Sequence, residues 1–251
     1  MPNLFGIHSV REALRKSADS LEMVYFSQDL SNPRLRELFG EVRRNKLTVR
    51  RIPEEALRRM AGSINHQGVV VTTAEFAYCP TEDILAAVAH PGLLLVLDEI
   101  QDPQNLGAIL RSAEGAGVGG VFLPKHHSAG ISAATVRASA GAAVHLKIAR
   151  ETNLTQLLER LKDAGFWVVG LDLGAEKLWT EGDYGRPTAI VLGNEGRGIR
   201  PLVRRHCDDL VRIPMMGQVE SLNVSAATAI LMYEVLRQRL EEKDSTSAER
   251  S

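Results

Sequence analysis

Apolar positions along the chain follow two rhythms. "LEMVYF" (Leu21 to Phe26), "TVRRI" and "GVVVTTAEF" (Gly68 to Phe76) are short β-branched or apolar runs that predict strands. Between them the apolar spacing becomes helical. "SVRE" (Ser9 to Glu12) has capping-box form. "SNPRLRELFGEVRRN" places a cap and a proline ahead of Leu35, Leu38, Phe39 and Val42 on one face, and "PEEALRRMAG" ends at a glycine stop. Strands and helices alternating over so short a stretch predict a small α/β domain, residues 1–76. "AYCPTEDILAAVAHPG" (Ala77 to Gly92) has a proline at each end and predicts a linker, residues 77–92. From 93 to 241 apolar runs recur as "LLLVLD", "GVFLP", "VHLKI", "FWVVGLDL", "TAIVLGN" and "LVRIPM", with helical patterns such as "TNLTQLLERLKDAG" between them. Continuous apolar strands alternating with helices predict a buried, mostly parallel sheet. A long helix with an apolar stripe closes this unit, and the polar end 242–251 is expected to be a disordered tail.

Composition narrows the class. With 44% hydrophobic and 24% charged residues the chain reads as an ordinary soluble globular protein. No apolar run reaches the roughly 20 residues of a membrane span. Two cysteines, Cys79 and Cys207, give neither a disulfide framework nor a metal-ligand pattern, and none of the histidines has metal spacing with a cysteine. The expectation is a cytoplasmic protein with free thiols and no metal. Net charge is −1 and identifies no partner, but Ser31 to Gly62 carries nine basic against four acidic residues. That excess can face an anionic polymer or can simply be a solvated helix surface.

Three loops after predicted strands concentrate polar residues, and ligands of parallel sheets bind beyond the carboxyl ends of strands. The first, "LDEIQDPQNLGAILRSAEGAG", contains Asn105, a possible helix cap, and Arg111 among small residues, where it is either functional or salt-bridged to Asp98 or Asp102. The second, "VLGNEGRGI" (Val191 to Ile199), spaces its glycines as GxxGxG, which fits neither the dinucleotide fingerprint nor the P-loop. Glu195 in its middle favours a ligand with positive charge or hydroxyl donors over a phosphate, or else caps a tight turn. In the third, "IPMMGQVESLNVSAATAI", Ser221 either caps the following helix or joins Asn223 and Ser225 in a hydrogen-bonding rim.

Taken in order, "DEIQDPQNLGAILRSAEGAG", "VLGNEGRGI" and "IPMMGQVESLNVSAATAILMYEVLRQR" resemble the three motifs of the SpoU branch of the SPOUT methyltransferases. "GIHSVREAL" and "HQGVV" are similar to signatures of that family's L30e-like substrate-binding domain. The resemblance covers roughly Asn3 to Arg239. It implies transfer of a methyl group from S-adenosylmethionine to a ribose 2′-hydroxyl of RNA, without a metal, by a homodimer associating through the SPOUT domain. It also implies a deep trefoil knot at the C-terminal end of the second unit. Within the family the chain looks like the subgroup acting on a guanosine of 23S ribosomal RNA; another RNA, such as transfer RNA or a different ribosomal nucleotide, is the alternative.

The resemblance further implies that cofactor lies against Gly193, Ile213 and Leu222, with Asn194, Gly196, Met215 and Met216 beside them. Arg111 becomes the central catalytic residue, supported by Asn105, Glu195, Ser221 and Asn223. A guanidinium stays protonated in proteins, so gripping the target phosphate and lowering the hydroxyl pKa suits Arg111 better than acting as a base. Asn105 would orient Arg111 or the ribose, and Glu195 would bond the nucleotide or hold Arg111. Arg43, Arg44, Arg50 and Arg51 are the expected RNA grip. Two rivals stand beside this reading: a non-catalytic RNA-binding protein, and a nucleotide-dependent oxidoreductase, against which the missing GxGxxG counts.

Overall fold

The computed structural model describes residues 4–17, 21–73, 76–89 and 91–248. Outside it fall residues 74–75 of the expected strand 68–76, residue 90 of the expected linker and the last three of the expected tail. The chain divides into two compact units, Met1–Phe76 and Ala77–Ser251.

In the first unit β1 (Leu4–Phe5), β2 (Leu21–Ser27), β3 (Thr48–Ile52) and β4 (Val69–Thr73) form one sheet in the order β1-β4-β2-β3. β2 and β3 run parallel; β4 is antiparallel to both β2 and β1. The helices are α1 (Ile7–Ser17), α2 (Pro33–Arg44) and α3 (Glu54–Ala61). α2 starts as its sequence predicts: Asn32 accepts from the Arg34 N–H and Pro33 fills the first turn. Val10, Val24, Phe26, Leu38, Val42, Val69 and Val71 are fully buried and form the centre of this unit's core.

The second unit holds a seven-stranded parallel sheet ordered β7-β6-β5-β10-β8-β11-β9. Its strands are β5 (Leu93–Leu97), β6 (Gly120–Pro124), β7 (Ile148–Glu151), β8 (Trp167–Leu171), β9 (Lys177–Leu178), β10 (Thr188–Leu192) and β11 (Asp209–Arg212). Every residue of β5, β6 and β10 is buried, which is why these read as unbroken apolar runs. Helices α4 (Thr81–Ala87), α5 (Pro103–Gly115), α6 (Ala133–Ala138), α7 (Leu154–Asp163), α8 (Pro201–Arg205) and α9 (Val224–Ala248) complete the unit. Arg239 on α9 fastens that helix to the sheet, donating to the carbonyls of Pro91, Gly92, Tyr184 and Arg186 at 3.0–3.1 Å.

Two boundaries differ from expectation. The stretch 77–92 is not a linker: it carries α4, Ile84 of that helix is fully buried in the second unit's core, and the Cys79 N–H donates to the Ile148 carbonyl. Pro80 precedes the first turn of α4, where its missing N–H costs nothing, so it starts a helix and does not break one. The C-terminal segment is not disordered from 242 either, since α9 continues through Ala248; adding a residue to a formed helix avoids the nucleation cost. Among the described residues no helix is long and apolar enough to cross a membrane.

Candidate functional site

The carboxyl ends of β10, β8 and β11 surround a cavity of about 260 Å³. The turn after β10 forms one wall. Asn194 and Gly198 exchange two backbone hydrogen bonds, at 3.1 and 2.8 Å, folding residues 193–198 back on themselves. The fold-back needs a glycine at 193, where a Cβ would lie 1.9 Å from the Gly198 carbonyl carbon. The Asn194 side chain is consumed in holding this turn: its Nδ2 donates to the Glu99 carbonyl at 3.0 Å and its Oδ1 accepts from Gly196 N–H at 2.9 Å. Glu99, at φ 61°, is a non-glycine residue in the left-handed region, backbone strain placed beside the cavity.

Of the expected cofactor residues, Gly193, Asn194, Gly196, Ile213, Met215 and Leu222 line this cavity. Met216 does not; it is 94% exposed. Leu171, the last residue of β8, and Asp172 and Leu173 after it also line the cavity, as do Arg197 and Arg212. Sequence reasoning missed them, although "GLDLG" obeys the same strand-end rule. Leucines and glycines with a few polar groups suit a small molecule with an apolar ring system and a charged chain. Asp172 is already neutralised: its carboxylate accepts from Arg204 Nε at 2.8 Å.

Three of the expected catalytic residues meet at the rim. Glu195 Oε1 accepts from Asn105 Nδ2 at 2.8 Å and from Asn223 Nδ2 at 2.7 Å, and the Val224 N–H reaches it at 3.4 Å. Asn223 Nδ2 also lies 3.0 Å from Asn105 Oδ1, to which it donates. One residue from each loop motif therefore enters one hydrogen-bonded cluster, joined by the partners' sequence separations of 90 and 28 residues from Glu195. Glu195 sits against the N-terminus of α9, where a carboxylate is stabilised by unpaired N–H groups.

The caps differ from expectation. Asp102, not Asn105, caps α5, accepting from the N–H groups of Gln104 and Asn105. Asn223, not Ser221, accepts from Ser225 N–H (2.9 Å) and Oγ (2.6 Å) at the start of α9; Ser221 lines the cavity. A cap at those positions leaves Asn105 and Ser221 free for other work.

Arg111 stands apart. It is exposed on α5, outside the cavity lining, with no hydrogen bond or ion pair among the described residues, so neither Asn105 nor Glu195 holds it. Asp98 is likewise not its partner. Fully buried, Asp98 accepts from Arg200 N–H at 2.9 Å and Arg200 Nε at 2.7 Å, and Arg200 also reaches Glu99 at 3.5 Å. Burial pushes the Asp98 carboxyl above the usual carboxylate range, and the bonds and charge of Arg200 pull it part of the way back. This pair, joined by the Asp98 N–H bond to the Leu192 carbonyl (2.7 Å), ties the loop after β5 to the glycine turn after β10.

Elsewhere the remaining expectations find places. Arg43 and Arg44 lie exposed in the last turn of α2, where cations also favour the helix dipole, and Arg50 and Arg51 are exposed on edge strand β3. The Arg51 guanidinium donates to the Gln28 carbonyl. Burial pushes the Cys207 thiol up to about 12, which makes it an inert packing residue at neutral pH. No metal-holding cluster of His, Cys, Asp or Glu occurs among the described residues.

Comparison with known proteins bears on both units. The SpoU rRNA Methylase family model matches residues 92–233, and the model for RNA 2′-O ribose methyltransferase substrate binding matches residues 4–79. A 23S rRNA (guanosine-2′-O-)-methyltransferase RlmB of Xanthomonas axonopodis pv. citri is 41% identical over 240 residues, covering 94% of this chain and 96% of that one. The putative TrmH family tRNA/rRNA methyltransferase YacO of Bacillus subtilis is 36% identical over 94% of the chain and 95% of its own length. Among solved structures, the SpoU methyltransferase AviRb from Streptomyces viridochromogenes in complex with AdoMet matches with TM-score 0.63 at 26% identity, covering 95% of this chain and 90% of that chain.

Proposed function

This chain belongs to the SpoU rRNA methylase family, and from that premise we propose that it methylates the ribose 2′-hydroxyl of a guanosine in 23S ribosomal RNA, in the cytoplasm. The observation that carries the proposal is the meeting of Asn105, Glu195 and Asn223 from three separate motifs at the rim of a cavity walled by a glycine turn. A non-catalytic RNA-binding protein has no use for such a cluster. A dinucleotide oxidoreductase needs free helix N–H groups for phosphate, and here Glu195 takes that place.

The cavity fits S-adenosylmethionine by its chemistry: apolar walls from Leu171, Leu173, Ile213 and Leu222 for an adenine ring, and backbone of Gly193 to Gly198 for close approach. When bound, that cofactor supplies an electrophilic methyl group on a sulfonium. The protein's own residues do the rest. Asn105 and Asn223, held by Glu195, present amide groups to the incoming nucleotide and fix its ribose for in-line attack. Arg111, unpaired among the described residues, grips the target phosphate and stabilises the negative charge that builds on the ribose oxygen as it bonds the methyl carbon and its proton passes to solvent. Ser221 lines the pocket beside them.

A homodimer is part of the proposal. Ile230, Tyr233 and Leu240 lie on one stripe of α9 and remain exposed, and α5, which carries Arg111, packs on the same helix. In the proposed dimer a second copy covers that stripe, and each site combines one protomer's Arg111 with the other's cavity. The deep trefoil knot belongs to the reading too; it accords with a strand order in which β10 and β11, both later in the chain, flank β8.

Incubating the full chain with methyl-labelled S-adenosylmethionine and, separately, 23S, 16S and transfer RNA tests the proposal. The expected product after nuclease digestion is 2′-O-methylguanosine from 23S RNA. Label in a base, or in no RNA, overturns it; label confined to transfer RNA moves the substrate.

A further inference from the structure

The first unit has a cavity of its own, a surface pocket of about 680 Å³ between the start of α1, the loop before α2 and the turn into β4. That volume falls within the roughly 300–1,000 Å³ of small-ligand sites. Its floor is wired by side chains. Gln67 holds a left-handed backbone (φ 52°) and its Oε1 accepts the Ile7 N–H at 2.9 Å. His66, 2% exposed, accepts the Gly68 N–H on Nδ1 at 3.2 Å, which leaves its proton on Nε2, 3.4 Å from Glu54 Oε1. Ser27 Oγ donates to the other oxygen of Glu54 at 2.9 Å. Gly68 holds a left-handed backbone (φ 76°), where a side chain would be strained and its Cβ would press on Leu35 Cδ2 at 2.6 Å, so the turn favours glycine there. The two signatures "GIHSVREAL" and "HQGVV" are thus the two sides of one pocket.

Its walls choose the occupant. Asp29 and Glu54 put two carboxylates on the cavity, which a phosphate would avoid. Arg11 is neutralised by Glu37 and Glu41 at 3.0 and 3.1 Å. What remains presented is one exposed apolar side chain, Ile64 at 73% exposure, with the side chains of His8, Asn65 and Arg34, which have no side-chain partner among the described residues. Splayed-out bases stack on imidazole and guanidinium planes, and His8 and Arg34 supply both here, with the apolar Ile64 and the Asn65 amide beside them. We propose that this pocket binds one unpaired nucleobase of the RNA substrate, resting on the reading of the chain as an RNA methyltransferase, and separates base recognition in the first unit from the phosphate grip of Arg43, Arg44, Arg50 and Arg51.

The test uses the full chain and two fluorescein-labelled single-stranded probes, a mixed-sequence RNA hexamer and the same hexamer made abasic, with binding followed by anisotropy over a range of salt. The wild type should hold the base-bearing probe roughly tenfold or more tighter than the abasic one. Ile64→Ala/Asn65→Ala should abolish that preference without changing the salt slope, and His8→Ala, across the pocket, should reduce it independently if the double variant fails to fold. Equal binding of the two probes by the wild type, or an intact preference in correctly folded variants, overturns the proposal. Methyl transfer to 23S RNA is measured on the same wild-type sample: transfer without base preference sinks the pocket alone, and base preference without transfer sinks the enzymatic reading.

Discussion

Replacing Arg200 with alanine removes the cation from a carboxylate that cannot escape to water. Asp98 is fully buried, whereas the Arg200 side chain is 44% exposed. The variant loses the Nε bond and the second guanidinium contact, each 2.7 Å, but keeps the backbone N–H bond at 2.9 Å. Breaking a buried pair costs about 3–5 kcal/mol, and the retained bond and exposed arginine place this one near 3. At roughly 2–4 °C per kcal/mol for a domain of this size, the melting temperature should fall by roughly 6–12 °C. The loss depends on pH in a definite direction. Burial already raises the folded Asp98 pKa above its ordinary value, and without Arg200 it rises further. The folded state then binds more protons than the unfolded chain between the ordinary and the raised pKa, so stability falls as pH rises through that window. Scanning calorimetry should therefore find the gap between wild type and Arg200→Ala wider at pH 7.5 than at pH 5, and Asp98→Asn should narrow it in the Arg200→Ala background. A shift under about 2 °C, or a gap indifferent to pH, refutes the account of this pair.

Glu195→Gln keeps the shape of the rim but weakens the bonds from Asn105 and Asn223; methyl transfer should fall about 10–100-fold, while calorimetric affinity for S-adenosylmethionine stays within about threefold of wild type. Mixing inactive Arg111→Ala with inactive Glu195→Ala should restore about 25% of wild-type activity if subunits exchange at random and each site combines residues of two protomers; no recovery would place both residues in one protomer's site. Neutralising Arg43, Arg44, Arg50 and Arg51 together should flatten the salt dependence of RNA binding by up to about four units of slope, and an unchanged slope would return them to plain surface.

Much of the architecture was legible because the sheet is buried on both faces. The runs Leu93–Leu97 and Thr188–Leu192 have no exposed residue, so nothing interrupts their apolar pattern. The two-residue strand β9 has no pattern to read, being defined by its pairing with β11 alone. At Pro80 the local signal pointed the wrong way, since a proline both ends and begins helices; burial of Ile84, a tertiary fact, decides between them. The site divides in the same manner. Strand-end position located the loops of Asn105, Glu195 and Asn223, but not which groups would bond. Asp98 had Arg111 as a plausible partner nearby in sequence, and its actual partner is 102 residues away.

Glu195 shows what such long-range pairing does to function. A glycine turn leading toward a helix N-terminus is ordinarily a cradle for phosphate, because unpaired N–H groups and the helix dipole point at the ligand. Here the turn brings its own carboxylate, which bonds the Val224 N–H and both asparagine amides and so fills the anion's place from within. Those N–H groups are therefore closed to a phosphate, which suits the cavity below to a ligand that carries none. The RNA phosphate must then find its cation elsewhere. Arg111, exposed and unpaired among the described residues, is the cation proposed for it. Anion binding by a side chain outside the glycine turn, as proposed, would let cofactor and substrate be held by separate groups, which a methyl transfer between two bound molecules requires.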